Sequence, residues 1–480
     1  MSLIAAGSAA AGDESAEAPA VASGRFALAA LAAGVLAAML LPRAPVGLGF
    51  TVVAVALALA AALAARPVSA RRRRAVLLGA LALALAASAT VRDAAWVVNG
   101  ELVAAVGLGS LAMSAPRTWR GCVQGAFAAP LRMLSGARLV AVAAVCALPR
   151  GSSGQAFALG RGLLLTGALL TIFGALFATG DQAFAQIAGD VLPDALPLED
   201  LPLRLFVLGA VVSLAGGLAR AAAIADEPAR GPLLRLGRSE WLLALGGLNA
   251  LFALFVAVQL AVAFGGDDYV RESAGLTYAE YARSGFAQLV VVAALTLAVV
   301  AGALRWARTA DARQARALRA LLCLLCLLTL VVLASALHRL ELYEQAYGFT
   351  RMRLAVHALL LFGGTLFVLV VVALASDRRG WLAQATVLLA ACAGLAFWLS
   401  DPDRRIAAHN VERYEATGRI DTWYLAQLSA DAVPALMRLP AALRERAITR
   451  QRARLAGAPD GLAGANVSRA RARDALGLAP

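Results

Sequence analysis

Long apolar blocks alternate with short polar connectors along almost the whole chain. A helix that crosses a bilayer needs about 20 mainly apolar residues, within a range of roughly 17 to 25. By that ruler the blocks predict eleven spans, at 26–41, 46–65, 75–91, 95–113, 162–179, 204–219, 241–264, 286–304, 320–336, 352–375 and 381–399. Pro42 and Pro45 leave only a tight turn between the first two. The stretch 1–24 is small, polar and acidic, with Asp13, Glu14 and Glu17, and reads as a disordered tail. No basic region precedes the first apolar run, so a cleaved signal peptide is not expected.

The segment 114–161 breaks the pattern. Its middle, LVAVAAVCAL at 139–148, is apolar but too short to cross, and Arg132, Arg138 and Arg150 flank it. It reads as a cytoplasmic, interfacial or re-entrant piece whose arginines face anionic head groups. Gly151, Ser152, Ser153 and Gly154 then form a flexible link into the fifth span. The fold class that follows is all-α, a polytopic membrane bundle of about eleven helices with a small helical extramembrane domain at its C-terminus. Spans one to four fall in 25–113, spans five to eleven in 162–399, and the appended domain in 400–480.

Composition strengthens this reading. Hydrophobic residues make up 61% and charged residues 15% of the chain, against about 25% charged in soluble domains. Too little polar surface remains to cover a globule in water. All 44 basic residues are Arg and none is Lys, which excludes a Schiff-base lysine and the lysine of a phosphate loop. The net charge of +14 would suit nucleic acid, but the arginines sit between apolar blocks, where topology determinants sit. With the N-terminus cytoplasmic, the cytoplasmic connectors hold 22 Arg and the opposite connectors 8. An odd number of spans then places 400–480 outside the cytoplasm. The five cysteines match neither a disulfide framework nor a zinc spacing, and Cys323 and Cys326 read as packing residues inside a span.

An ionisable group inside a membrane is a functional candidate by default. The spans offer Glu101 and His357, together with the amides Asn249 and Gln259. The plainer reading hydrates Glu101 near the surface and has the amides bond to neighbouring helices. A sharper reading pairs Glu101 with His357 for a proton or cation. The pairs Gly216/Gly217, Gly246/Gly247 and Gly363/Gly364 read as close helix contacts.

Two outer segments are richer. GGDDYVRESAGLTYAEYARSGF presents Tyr278, Glu280, Tyr281 and Arg283, and HRLELYEQAYGFTRMR presents His338, Glu341, Tyr343, Glu344, Tyr347, Gly348, Thr350, Arg351 and Arg353. Tyrosines here suit an aromatic belt. Ion pairing of Glu341 or Glu344 with Arg351 or Arg353 would fix the ends of two spans.

The run from Leu342 to Leu354 resembles the Y-x-x-A-Y-G-[FL]-T-x-x-R-L signature of the bacterial multi-pass membrane family known as domain of unknown function 4173, related to 4153. The segment from Gly275 to Phe286 resembles the same family, as do Asn410, Val411 and Arg413 with the later run Leu428 to Pro434. The resemblance covers roughly 75–475 and implies a bacterial inner-membrane protein. It supplies no catalytic residues.

The appended domain holds 13 Arg and 9 acidic residues, including a basic helix at 443–456. Its arginines are expected on a solvated face, at lipid head groups or on an acidic polymer. Three functions remain open at this point. The first is a non-enzymatic sensor, scaffold or envelope assembly factor that binds a partner through the outer loops and tail. The second is a transporter or lipid translocator with a hydrated cavity lined by Asn249, Gln259, Glu101 or His357. The third is a membrane-embedded enzyme working at the outer leaflet around Tyr343, Glu344 and Arg351. No internal repeat supports an inverted-repeat transporter. No cofactor and no metal are expected, and the partners expected are the lipid bilayer and a protein or lipid at the outer face, not nucleic acid.

Overall fold

In the computed structural model, residues 23–64, 69–146, Thr166, 200–223, 235–274, 286–376, 380–457 and 460–478 are described. Nearly all are helical, and the described residues contain no strand, only an isolated bridge between Leu236 and Ala307. The bundle comprises α1 (Gly24–Leu40), α2 (Leu48–Ala64), α3 (Ser69–Ala86), α4 (Ser88–Val91), α5 (Ala95–Ser114), α6 (Trp119–Leu131), α7 (Met133–Cys146), α8 (Leu201–Ala221), α9 (Arg238–Ala274), α10 (Phe286–Trp306), α11 (Ala312–Tyr347), α12 (Arg351–Ala375) and α13 (Leu382–Leu399). The tail adds α14 (Pro402–Thr417), α15 (Ala441–Leu455) and α16 (Val467–Leu476), with single turns between them.

Every expected span except the fifth, which lies outside the described residues apart from Thr166, falls on a helix. Among the described residues, eight helical segments are long and apolar enough to cross a membrane, or nine if the bent pair α6 and α7 is one span. Helices α1 and α2 are apolar but only 17 residues each. Between 22% and 39% of each of the eight crossing windows is buried inside the protein. The remaining apolar surface, with Leu243 at 76% and Phe206 at 72% exposure, needs a lipid solvent.

Two expectations change. Helix α11 runs 36 residues to Tyr347, about 54 Å at 1.5 Å per residue, so the segment after 336 read as a loop is its last three turns. Gly348, at φ +79°, ends it in a conformation that costs glycine little. The piece read as apolar only at 139–148 is two helices broken at Arg132 by 62°. Pro130 in the last turn of α6 withholds an amide and crowds the preceding turn, a usual cause of such a bend. Arg132, assigned above to head groups, donates to the Arg220 carbonyl of α8 at 2.9 Å.

Three of the apolar clusters among the described residues hold the bundle together. One joins α9 to α12 through Trp241, Leu322, Leu325 and Phe367. Another joins α3, α5, α6 and α13 through Leu85, Val97, Leu108 and Trp398. A third joins α1, α7 and α8 through Phe26, Val140 and Ala215. Connectors that alternate along the chain collect at two ends. At one, Arg43 pairs with Asp200 at 2.6 Å and the Leu48 amide donates to Ala465 O at 3.0 Å, next to the tail. At the other, Trp241 Nε1 donates to Arg308 O at 3.1 Å beside the Leu236 bridge.

Of the glycine pairs, only Gly216/Gly217 is a close contact. A Cβ on Gly216 would clash with the Gly136 carbonyl oxygen, whereas Gly246 and Gly247 face open space and Gly364 meets only Leu330 Cδ2 at 4.0 Å. Gly216→Val should therefore force α7 from α8 and lower the melting temperature of detergent-purified protein by several degrees, as overpacking costs about 1–3 kcal/mol. Gly246→Ala should leave the melting temperature unchanged or slightly raise it, since the helix gains propensity.

Candidate functional site

The spans carry few charges, but the tail-bearing end concentrates them at the seam between bundle and tail. Helix α13 ends at Leu399 and α14 starts at Pro402, a residue pre-set for the first turn. The reversal is made by Asp401 in the left-handed region at φ +56°. It places Asp403 in the first turn of α14, where the helix dipole favours an anion.

Asp403 is fully buried. Its Oδ1 accepts from Arg351 Nε at 3.0 Å and Trp96 Nε1 at 3.0 Å, and its Oδ2 from Arg351 Nη2 at 2.5 Å and the Ser429 amide at 2.8 Å. Four donors match the acceptor sites of a carboxylate. They come from α5, α12 and the turn before residues 430–432, so one side chain joins three elements. Arg351 also reaches Gln427 O at 3.2 Å, and its amide donates to Tyr424 Oη at 2.7 Å.

A second knot forms around Asp93, in the short connector between α4 and α5. Its Oδ1 accepts from Arg469 Nη1 at 2.8 Å and Arg454 Nη2 at 3.2 Å, and its Oδ2 from the Ala430 amide at 3.1 Å. The Asp93 amide donates to Asp431 Oδ2 at 2.9 Å, where Ser429 Oγ also donates at 2.7 Å, and Ser468 Oγ donates to Asp431 Oδ1. Arg469 adds a bond to Asp460 at 2.9 Å and one to Val46 O at 3.0 Å. Asn466 donates to Ala89 O and Arg92 O, closing the C-terminal end of α4. Arg92 pairs with Asp401 at 2.5 Å and donates to Trp398 O at 3.0 Å.

These environments split the carboxylates. Burial pushes Asp401 up to about 6, helped by neighbouring Asp431 and opposed by Arg92 and Arg404. Burial also raises Asp431 against its serine bonds. Burial opposes the charge on Asp403 too, but the Arg351 bonds, the Ser429 amide and Trp96 prevail and hold it below the usual range. Asp460 is likewise held low, its burial outweighed by Arg473 and Arg469.

The residues singled out from sequence are distributed as follows. Tyr278, Glu280, Tyr281 and Arg283 lie outside the described residues. Arg351 bonds to Asp403 and not to Glu341 or Glu344, because Asp403 offers both oxygens to the guanidinium fork. Arg353 donates to Gly348 O and stands over the Tyr343 ring at 4.2 Å, with Tyr347 at 4.9 Å from Tyr343. Thr350 caps α12 by accepting from the Arg353 amide at 3.4 Å. Glu344 is buried 3.7 Å from His357 Nδ1. Glu101 is buried against Gly394 of α13, so it does not meet His357. Asn249 donates to Leu245 O and Leu321 O, and Gln259 accepts from Ser335 Oγ at 3.1 Å and Arg339 Nη2 at 2.5 Å. His338, Glu341 and Glu344 do not converge, and the described residues contain no His, Cys, Asp or Glu group able to hold a metal.

Sequence reading missed Asp93, Asp403 and Arg469, and met Asp431 only inside the family-like run Leu428 to Pro434; these four residues carry the seam. The available signal was a set of carboxylates directly at span ends, Arg92–Asp93 and Asp401–Pro402–Asp403, on the arginine-poor side. The tail arginines Arg469 and Arg473 were expected at solvent, lipid or polymer and instead are buried in ion pairs with Asp93 and Asp460.

Removing one partner of a buried ion pair costs about 3–5 kcal/mol. Asp93→Asn should therefore loosen the tail, seen as faster protease cleavage in 440–478 and a lower melting temperature, whereas Glu445→Gln, at an exposed pair with Arg452, should change little. A pH series isolates Asp401. Folding raises its pKa from an unfolded value of ~3.9 to about 6, so the folded chain holds the extra proton between these values. That stabilisation is lost as pH rises through the folded value. Asp401→Asn should gain in melting temperature relative to wild type as pH rises from ~4 to about 6, and the gain should level off above that folded value. Asp403 and Asp460, held low, stay charged across that window and contribute no slope.

A family model described as Domain of unknown function (DUF4153) matches residues 79–439. This is the relative of family 4173 named with it above. The matched range takes in Asp93, Trp96, Arg351, Asp403 and Asp431 and stops before α15 and α16. No curated protein and no solved structure matches the chain. With well over half its length matched, the chain belongs to the DUF4153 family of proteins, a domain of unknown function.

Proposed function

We propose that the chain is a non-enzymatic platform in a bacterial plasma membrane, a sensor, scaffold or envelope assembly factor, with its N-terminus cytoplasmic and its tail held outside. The proposed topology has eleven spans. The asymmetry of 22 Arg against 8 supports the orientation under the positive-inside rule. Among the described residues, connectors assigned to the arginine-poor side, around Leu48, Asp93 and Arg351, bond to the tail.

The observation that carries the reading is the seam. Buried carboxylates bond the tail to α5, α12 and the connector between α4 and α5, and the Asn466 amide bonds it to α4, which holds the module in one orientation. A rigid module on a membrane anchor suits presentation of a surface to a partner, and Trp423, 77% exposed, lies on that surface. The four polar span residues serve separate helix contacts and do not meet along one path.

Alkaline phosphatase fused after the C-terminus should be active and a green fluorescent protein fusion dark. A photocrosslinking amino acid at Trp423 should give a discrete adduct in native membranes, and the same probe at lipid-facing Leu359 should not. A cytosolic tail, or no adduct from Trp423 in membranes of growing cells, would count against the proposal.

A further inference from the structure

Where α13 turns into α14 there is a surface cleft of about 370 Å³ that no role above uses. Its lining includes Arg92, Leu399, Asp401, Arg404, Arg405 and Arg471. Arg92 is committed to Asp401 at 2.5 Å and to backbone carbonyls. Arg404, Arg405 and Arg471 are exposed, and among the described residues none of their side chains makes a hydrogen bond or an ion pair, although Arg404 is near enough to Asp401 to oppose the rise in its pKa. They come from two elements, α14 and α16, brought together by the left-handed turn at Asp401 and by the Arg469 ion pairs next to Arg471. Asp401, the carboxylate in the lining, is paired with Arg92, so Arg404, Arg405 and Arg471 leave the depression with a net positive charge that favours entry of an anion.

The position of the cleft restricts that anion. Leu399 is the last residue of a crossing helix, lines the cleft, and is 55% exposed. The cleft therefore has an apolar shoulder toward the hydrocarbon and a cationic rim at the depth of head groups, where basic clusters meet anionic lipids. Guanidinium is planar and forked, and pairs with phosphate oxygens two at a time.

We propose that this cleft binds a phosphate group, with Arg404, Arg405 and Arg471 as its donors and Leu399 as the rest for an attached acyl chain. The proposal deepens the partner reading above by giving one partner a chemistry. It stands on the cleft, not on protein crosslinking from Trp423, so either can fail alone. The shared chemistry is the phosphate, and its sources are a lipid head group or a soluble phosphate.

The test is a melting-temperature titration of the full chain in detergent with three probes, dioleoylphosphatidylglycerol, uncharged dioleoylglycerol and inorganic pyrophosphate. The phosphate-bearing lipid should stabilise the wild type. Each charge-assisted bond lost weakens binding by about tenfold, so R404Q/R405Q/R471Q should shift half-saturation upward by at least about tenfold. The control R446Q/R450Q, two exposed arginines on α15 outside the cleft lining, should behave as wild type. Stabilisation by the lipid alone identifies a head-group site, and stabilisation by pyrophosphate as well identifies a soluble phosphate as ligand. No response of wild type to either phosphate probe, an equal response to dioleoylglycerol, or an unchanged response in the triple variant would overturn the proposal.

Discussion

A carboxylate with no access to water must find donors, and in this protein that requirement joins two parts of the chain that differ in solvent. Asp93, Asp403 and Asp431 are each at most 8% exposed. For each, at least one donor comes from across the seam between bundle and tail. Uncompensated, any of them would cost several kcal/mol. Paired, they add modest net stability but admit only one docking of the tail. The apolar contribution is shared too, since Leu354 of α12 belongs to the same cluster as Ile406, Val411, Leu436 and Ile448 of the tail.

This arrangement divides the work of the sequence. Lipid-facing helices need only be long and apolar, and their interiors hold few polar atoms, mostly spent on neighbouring backbone, as with Thr329 to Leu325 O and Asn249 to Leu321 O. The tail is polar enough to face water and uses its arginines in two ways. Arg469 and Arg473 are structural, while Arg404, Arg405 and Arg471 lie at the surface with no side-chain ion pair among the described residues. Net positive charge is thus partly internal to the fold and partly displayed.

The spans were legible because a crossing helix is a block long enough to recognise without any partner, and the arginine asymmetry is a property of connectors alone. The extent of α11 was not legible, because its last turns carry His338, Arg339, Glu341 and Glu344, residues that read as a loop until Arg339 is seen to bond to Gln259 of α9. The bend at Arg132 was written in Pro130, but the helices on both sides are shorter than a span. Least legible was the seam. Asp93 and Arg469 are 376 residues apart, and Arg351 and Asp403 are 52 apart. Only the packed bundle brings them together, and nearer carboxylates such as Glu344 were the more obvious partners for Arg351. Of the glycine pairs, Gly216/Gly217 differs from Gly246/Gly247 only in what lies opposite, which a single chain does not reveal.

A double-mutant cycle on Arg351 and Asp403 tests the central claim most directly, using Arg351→Met, Asp403→Asn and the pair, with unfolding of the full chain followed in detergent. A pair that joins tail to bundle predicts that the combined loss falls short of the sum of the single losses by about 1.5 kcal/mol or more, within the range seen for residues in one network. Losses that add to within about 0.5 kcal/mol would show that the two side chains act independently, and that the seam is held by something other than buried charge.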